Sequence, residues 1–225
     1  MDETTMTNEV KIISLIGIER EDVAFYLGTL LSTENNPVLF VDNTREQRLF
    51  RIAGNNTENV VYIRNMTFIH NAVCTDNLLN NFKYIIVLHG EEIDKLWWDN
   101  SFYHLVLTDF DRFHLEDIAS SIERNEIDMS HIVLMIANRY TTKVNEKIIT
   151  QTLHLPKDVL EEFFELQPEP DVESARISLQ YNNMAKMSAL PKYVKQPLFR
   201  IFCAVTQPPK TPNMNNLFKD VTFME

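Results

Sequence analysis

Several stretches of the chain are apolar almost without interruption, at residues 11–17, 37–42, 84–88, 103–107 and 132–136. Alternation would mark strands with one wet face. Unbroken runs mark strands covered on both faces, the habit of parallel sheets. A short β-branched run at residues 60–63 predicts one more strand. Between these runs the apolar positions fall at helical spacing. Leu115, Ile118, Ala119 and Ile122 make one face of a helix over residues 115–125. Similar spacing predicts helices over residues 23–31, 144–153, 156–165, 175–187 and 194–204, and the end of one over 77–82. Pro156 and Asp158 suit a helix start. Residues 163–166 are expected to run on into a short strand, and residues 43–59 are polar, with a turn at Gly54-Asn55-Asn56.

Alternating strands and helices predict an α/β fold, a doubly wound and mostly parallel sheet flanked by helices with right-handed crossovers. At 225 residues the chain suffices for one such domain, expected over residues 1–206. Residues 207–225, with Pro208, Pro209, Pro212 and three asparagines, read as a C-terminal tail.

Charge narrows the partners. A formal charge of −11 opposes the broad basic surface that phosphate neutralisation requires, so no nucleic-acid partner is expected. The acidic, polar start of the chain is unlike a signal peptide, and no apolar run reaches the ~18 residues of a membrane span. A cytoplasmic protein is expected. Cys74 and Cys203 have no CxxC or metal-ligand spacing and read as buried free thiols.

The chemistry turns on the segment after the first strand. In a nucleotide-binding α/β domain that turn is rich in glycine and carries a lysine, because backbone N–H groups must approach the phosphates closely. Here it reads Gly17-Ile18-Glu19-Arg20-Glu21-Asp22, with one glycine, no lysine and three carboxylates. The chain has only four glycines, so no other segment supplies such a loop. A carboxylate about 5 Å from a phosphate charge, at an effective dielectric of ~20, costs roughly 3 kcal/mol, about a hundredfold in affinity.

The order of elements nevertheless resembles the ParA/MinD family of deviant P-loop ATPases, including its CpaE/TadZ pilus-localisation branch, over roughly residues 10–205. Residues 12–17 resemble the family's strand before the P-loop. Val38-Leu39-Phe40-Val41-Asp42-Asn43 resembles its "LLVDLD" strand, with Asp42 kept and Thr44 at the second acidic position. Phe82-Lys83-Tyr84-Ile85-Ile86-Val87-Leu88-His89 resembles "YDYVIIDTP" without the magnesium-linked aspartate. Residues 105–117 resemble the "LVTTPEPSLRDA" segment, and Ile132 to Tyr140 the "VVLNRY" strand whose asparagine helps hold adenine, here Asn138 followed by Arg139. The resemblance implies a P-loop NTPase-like fold whose vestigial nucleotide face carries Gly17, Glu19, Glu21, Asp22, Asp42, Asn138 and Arg139. With the P-loop glycines and lysines missing, it implies no enzyme, no cofactor and no catalytic residue.

Other clusters have plainer readings. Asp42 at a strand end also suits the capping of the next turn, and Asn138 and Arg139 suit turn chemistry. Asp109, Asp111 and His114 form a D-x-D-x-x-H pattern that hard cations favour, but acidic residues before a helix commonly cap it, and no metal is expected. His89 with Glu91 and Glu92 lacks any nucleophile at a diagnostic spacing. Trp97 and Trp98 are adjacent on a helix, so one is expected in the core and the other at an interface. The expected function is that of a non-catalytic ParA/MinD-like pseudo-ATPase, a homodimeric scaffold or localisation factor working through protein contacts in a pilus, secretion or partitioning system. The alternatives are an ATPase with a remodelled site and a DNA-partition protein.

Overall fold

The computed structural model describes residues 10–32, 36–54, 58–137, 143–155, 159–167, 169–182 and 187–220. In chain order they form β1 (Lys11–Gly17), α1 (Glu21–Leu31), β2 (Val38–Asn43), α2 (Arg48–Ala53), β3 (Val60–Ile63), β4 (Met66–His70), α3 (Asp76–Asn81) and β5 (Tyr84–His89). There follow α4 (Lys95–Asp99), β6 (Tyr103–Thr108), α5 (Arg112–Arg124), β7 (Ile132–Ile136), α6 (Glu146–Thr152), β8 (Leu160–Glu165), α7 (Pro170–Asn182), α8 (Lys192–Thr206) and α9 (Met214–Asp220).

The strands make one 8-stranded sheet in the order β3-β4-β2-β5-β1-β6-β7-β8. Every pairing is parallel except β3 with β4, which close one edge as a hairpin. The five unbroken apolar runs are β1, β2, β5, β6 and β7, all side by side in that sheet. Strand β1 lies between β5 and β6, so the chain crosses to opposite sides of it. That topological switch point, at the carboxyl ends of the strands, is where α/β sheets place their ligands.

The two sheet faces divide the core. Ile13 and Leu15 of β1 face a large cluster with α1 and α8. Every residue of α1 is buried, so this helix is apolar nearly all round and sits between the sheet and other helices. Phe40 and Phe68 stack there with centroids 4.4 Å apart. Ile12 and Ile16, on the opposite face, enter two further clusters.

Residues 156–165, expected as a helix, instead end in β8, which pairs with β7. Phe163 packs in the cluster on one sheet face and Phe164 in the cluster on the other. Neighbouring aromatics on opposite faces are a strand pattern, and the sheet overrides the helical one. The segment from Gln207, read as a tail, contains α9, whose Phe218 is buried in the main core. Among the described residues no helix is long and apolar enough to cross a membrane. Cys74 and Cys203 are free but only half-buried.

Candidate functional site

The β1–α1 turn stands at the switch point. Gly17 has φ of 110°, and a Cβ there would lie 1.9 Å from the Leu107 carbonyl oxygen. That same oxygen accepts the Ile18 N–H at 2.9 Å, so the turn is pulled against the end of β6. Only glycine fits such an approach with a positive φ.

The turn's three carboxylates are each met by an arginine of the same chain. Arg20 grips Asp22 with two hydrogen bonds, 2.8 and 2.7 Å long. Burial works against the Arg20 charge, but Asp22 beside it more than compensates and holds the guanidinium above its ordinary value. Glu21, almost wholly buried, accepts from Gln180 at 2.8 Å and from Arg176 at 3.3 Å. Glu19 pairs with Arg48 at 2.8 Å. Burial, helped by Glu21, Asp42 and Glu46, pushes the Glu19 carboxyl up against the pull of Arg48. The buried side chains of Glu21 and Asp22 thus sit in the first turn of α1, where a helix N-terminus would otherwise favour an external anion.

Asp42 is used up locally. It accepts from the Thr44 N–H at 3.1 Å, the Thr44 hydroxyl at 2.6 Å and the Phe50 N–H at 3.0 Å, which caps α2 and fixes the turn before it. Asn138 and Arg139 lie outside the described residues.

A cavity of about 520 Å3 opens beside the turn. Its walls carry Glu19, Arg20, Asp109, His114, Glu173 and Arg176. The polar groups there are already engaged within the chain, because Arg176 also binds Glu173 at 2.6 Å and His114 lies 3.0 Å from Asp109. The Asp109 hydrogen bond holds His114 above its ordinary value against partial burial. Asp109 and Asp111 accept the N–H groups of Asp111 and Phe113, each at 2.9 Å, so the D-x-D-x-x-H pattern builds a loop and caps α5. No group of three or more potential ligands that could hold a metal occurs among the described residues.

His89 ends β5 in the interior, while Glu91 and Glu92 are exposed, so the three do not form a set. Nε2 of His89 lies 3.0 Å from the Ser14 hydroxyl, which lies 2.7 Å from the Ser101 hydroxyl. Nδ1 is buried without a partner among the described residues. Burial first, then the nearby His104, lowers the imidazole to about 3.

The interface expected at Trp97 and Trp98 is corrected, for both are buried, at 0% and 1% exposure. The short helix α4 lies flat on the sheet, so side chains about 100° apart can both point into it. Trp97 enters one core cluster and gives its indole N–H to Ala72 O at 2.8 Å. Trp98 enters the neighbouring cluster and donates to Asp128 O at 2.9 Å.

Sequence reasoning missed Arg48, Arg176 and Gln180. The pair Glu21–Arg176 spans 155 positions, and no local spacing announces such a contact.

No protein-family model matches the sequence, and no curated protein does either. Solved structures do match in fold. A ParA family ATPase from Chlorobium tepidum superposes with a TM-score of 0.56 at 12% identity, over 95% of this chain and 97% of that one. A chain of the MinC:MinD cell division protein complex of Aquifex aeolicus gives 0.60 at 11%, over 91% and 99%. A putative plasmid partition protein of Borrelia burgdorferi bound to AMPPNP gives 0.54 at 14%, over 88% and 98%. The fold is therefore that of the ParA/MinD P-loop NTPases. The expectation that the chain is no enzyme is corrected by these structures. They include an ATPase and a protein holding a nucleotide analogue, so the fold that this chain shares carries that chemistry.

Proposed function

We propose that this chain is a ParA/MinD-type positioning protein, a cytoplasmic scaffold or localisation factor that works through protein contacts and self-associates as a homodimer. The observation that carries the reading is the internal matching of charge at the switch point. Glu19, Glu21 and Asp22 would repel a second copy if left bare, and like charges facing each other cost several kcal/mol when desolvated. Arg48, Arg176 and Arg20 each pair with one of them within the chain, Arg176 being shared with Glu173. The face is thereby assembled and most of its charge offset before any partner arrives, as a contact surface needs to be. The MinD relative in the MinC:MinD complex has a protein partner, which supports the same reading by analogy.

A fluorescent fusion in the cells the protein comes from tests this. A discrete, reproducibly placed signal is the expected result. A signal spread evenly through the cell at native expression overturns the reading.

A further inference from the structure

Helices α2 and α7 frame a groove of about 340 Å3, lined by Arg48, Arg51, Ile52 and Gln180. Its chemistry runs against that of the whole molecule. The chain carries a formal charge of −11, yet exposed Arg48 and Arg51 line the groove and exposed Arg45 precedes them by one three-residue step, just before α2. Arg48 is engaged by Glu19. Neither Arg45 nor Arg51 makes an ion pair among the described residues.

On the α7 side the groove wall is Gln180, and the outer face of the helix beyond it is apolar and aromatic. Helix α7 turns Val172 and Leu179 into the core but leaves Ile177 at 46% and Tyr181 at 82% exposure. Positions four apart lie on one side of a helix, and Ile177 is also one turn from Gln180 in the groove wall. The Gln180 amide is tied to Glu21, which fixes this wall to the first turn of α1.

We propose that this groove docks an acidic, amphipathic segment of a protein partner. Its carboxylates meet Arg45 and Arg51, and its apolar side chains cover Ile177, Tyr181 and the edge of Ile52. The proposal rests on the protein-contact reading above and names the chemistry of the contact. Charge complementarity selects the occupant. Arginines and exposed aromatics are the side chains that protein interfaces favour at their anchors. Two unpaired arginines on a strongly acidic body are too few for a nucleic-acid backbone, whose binding draws on many phosphate contacts.

The test uses a labelled helical peptide with glutamates on one face and leucine and phenylalanine on the other. Controls are its lysine counterpart, a single-stranded oligonucleotide and phosphatidylserine vesicles. Fluorescence anisotropy should show the acidic peptide binding the full chain and the lysine peptide not. Arg45→Glu with Arg51→Glu should weaken binding at least about tenfold and flatten its salt dependence. Tyr181→Ser should weaken it while leaving the salt dependence in place. All three side chains are exposed, and circular dichroism verifies that each variant is folded. Equal binding of acidic and lysine peptides, or indifference to the arginine reversals, overturns the proposal. Preference for the oligonucleotide or the vesicles does so too, in favour of another class of partner. If these variants keep the cellular pattern but the peptide fails, the groove is refuted alone. An even distribution of the unaltered protein refutes the wider reading.

Discussion

The Ser14 hydroxyl accepts a hydrogen bond from Nε2 of His89 across 3.0 Å. The direction follows from the end of the chain of bonds. The Trp97 carbonyl can only accept, so Ser101 donates its one proton there, at 2.8 Å. Ser14 must then donate to Ser101, and its oxygen is left to accept from His89. Nδ1 therefore carries a bare lone pair. Long-range 15N–1H NMR at neutral pH should show the Nε2–H tautomer, and a protonated Nδ1 would break this account of the buried chain.

The same histidine makes stability depend on acid. Its folded pKa of about 3 lies below the ordinary 6.5. Between those values the unfolded chain binds a proton that the folded one refuses. The stabilisation is complete above about pH 6.5 and is lost as the pH falls toward 3, on the order of 5 kcal/mol in all. Urea titrations across that range should show a steeper fall for the natural protein than for His89→Gln. Parallel curves would contradict the prediction.

Arg20→Ala leaves the Asp22 carboxylate buried and alone. Breaking one side of a buried pair costs about 3–5 kcal/mol, whereas replacing both partners by apolar groups costs far less. Denaturant midpoints should therefore drop more for Arg20→Ala than for Arg20→Met combined with Asp22→Leu.

Gly17→Ala forces a Cβ onto the Leu107 carbonyl at a positive φ. The strain and the displaced β6 terminus should cost about 2–4 kcal/mol, read as a lowered melting temperature. An unchanged melting temperature would mean that the turn relaxes freely.

Trp98→Ala should cost about 3–5 kcal/mol of stability through the cavity it leaves. Its sedimentation coefficient should match that of the natural protein over the same concentrations, provided both remain folded. A change in association state would restore the interface role that burial argues against.

Much of this fold was legible because burial on both faces leaves a strong signature. The runs around Ile13, Phe40, Ile86, Val106 and Leu134 admit no amphipathic reading, and all five are sheet interior. Strand β4 left no such mark. Its hairpin turns at Arg64-Asn65, where Arg64 takes φ of 54° without the glycine that usually signals it. Helix α2 was hidden in a polar stretch because its start is held by Asp42, a contact across the turn and not a pattern along it. The glycine-poor, acidic character of the β1–α1 turn was plain from composition. Its arginine partners were not, because Arg48 and Arg176 reach it from helices remote in sequence.

The position of β1 at the centre of the sheet has a kinetic meaning. This strand emerges first in the described chain, yet its partners are β5 and β6, and its first register mate is Tyr84. Until that residue has been synthesised, the most apolar segment near the start of the chain has no strand to pair with. Parallel pairings between such distant segments must close long loops before they are rewarded, so folding is slow and the unpaired strand is exposed to aggregation meanwhile. Residues 11–17 therefore remain without their sheet partners while the middle of the protein is being made.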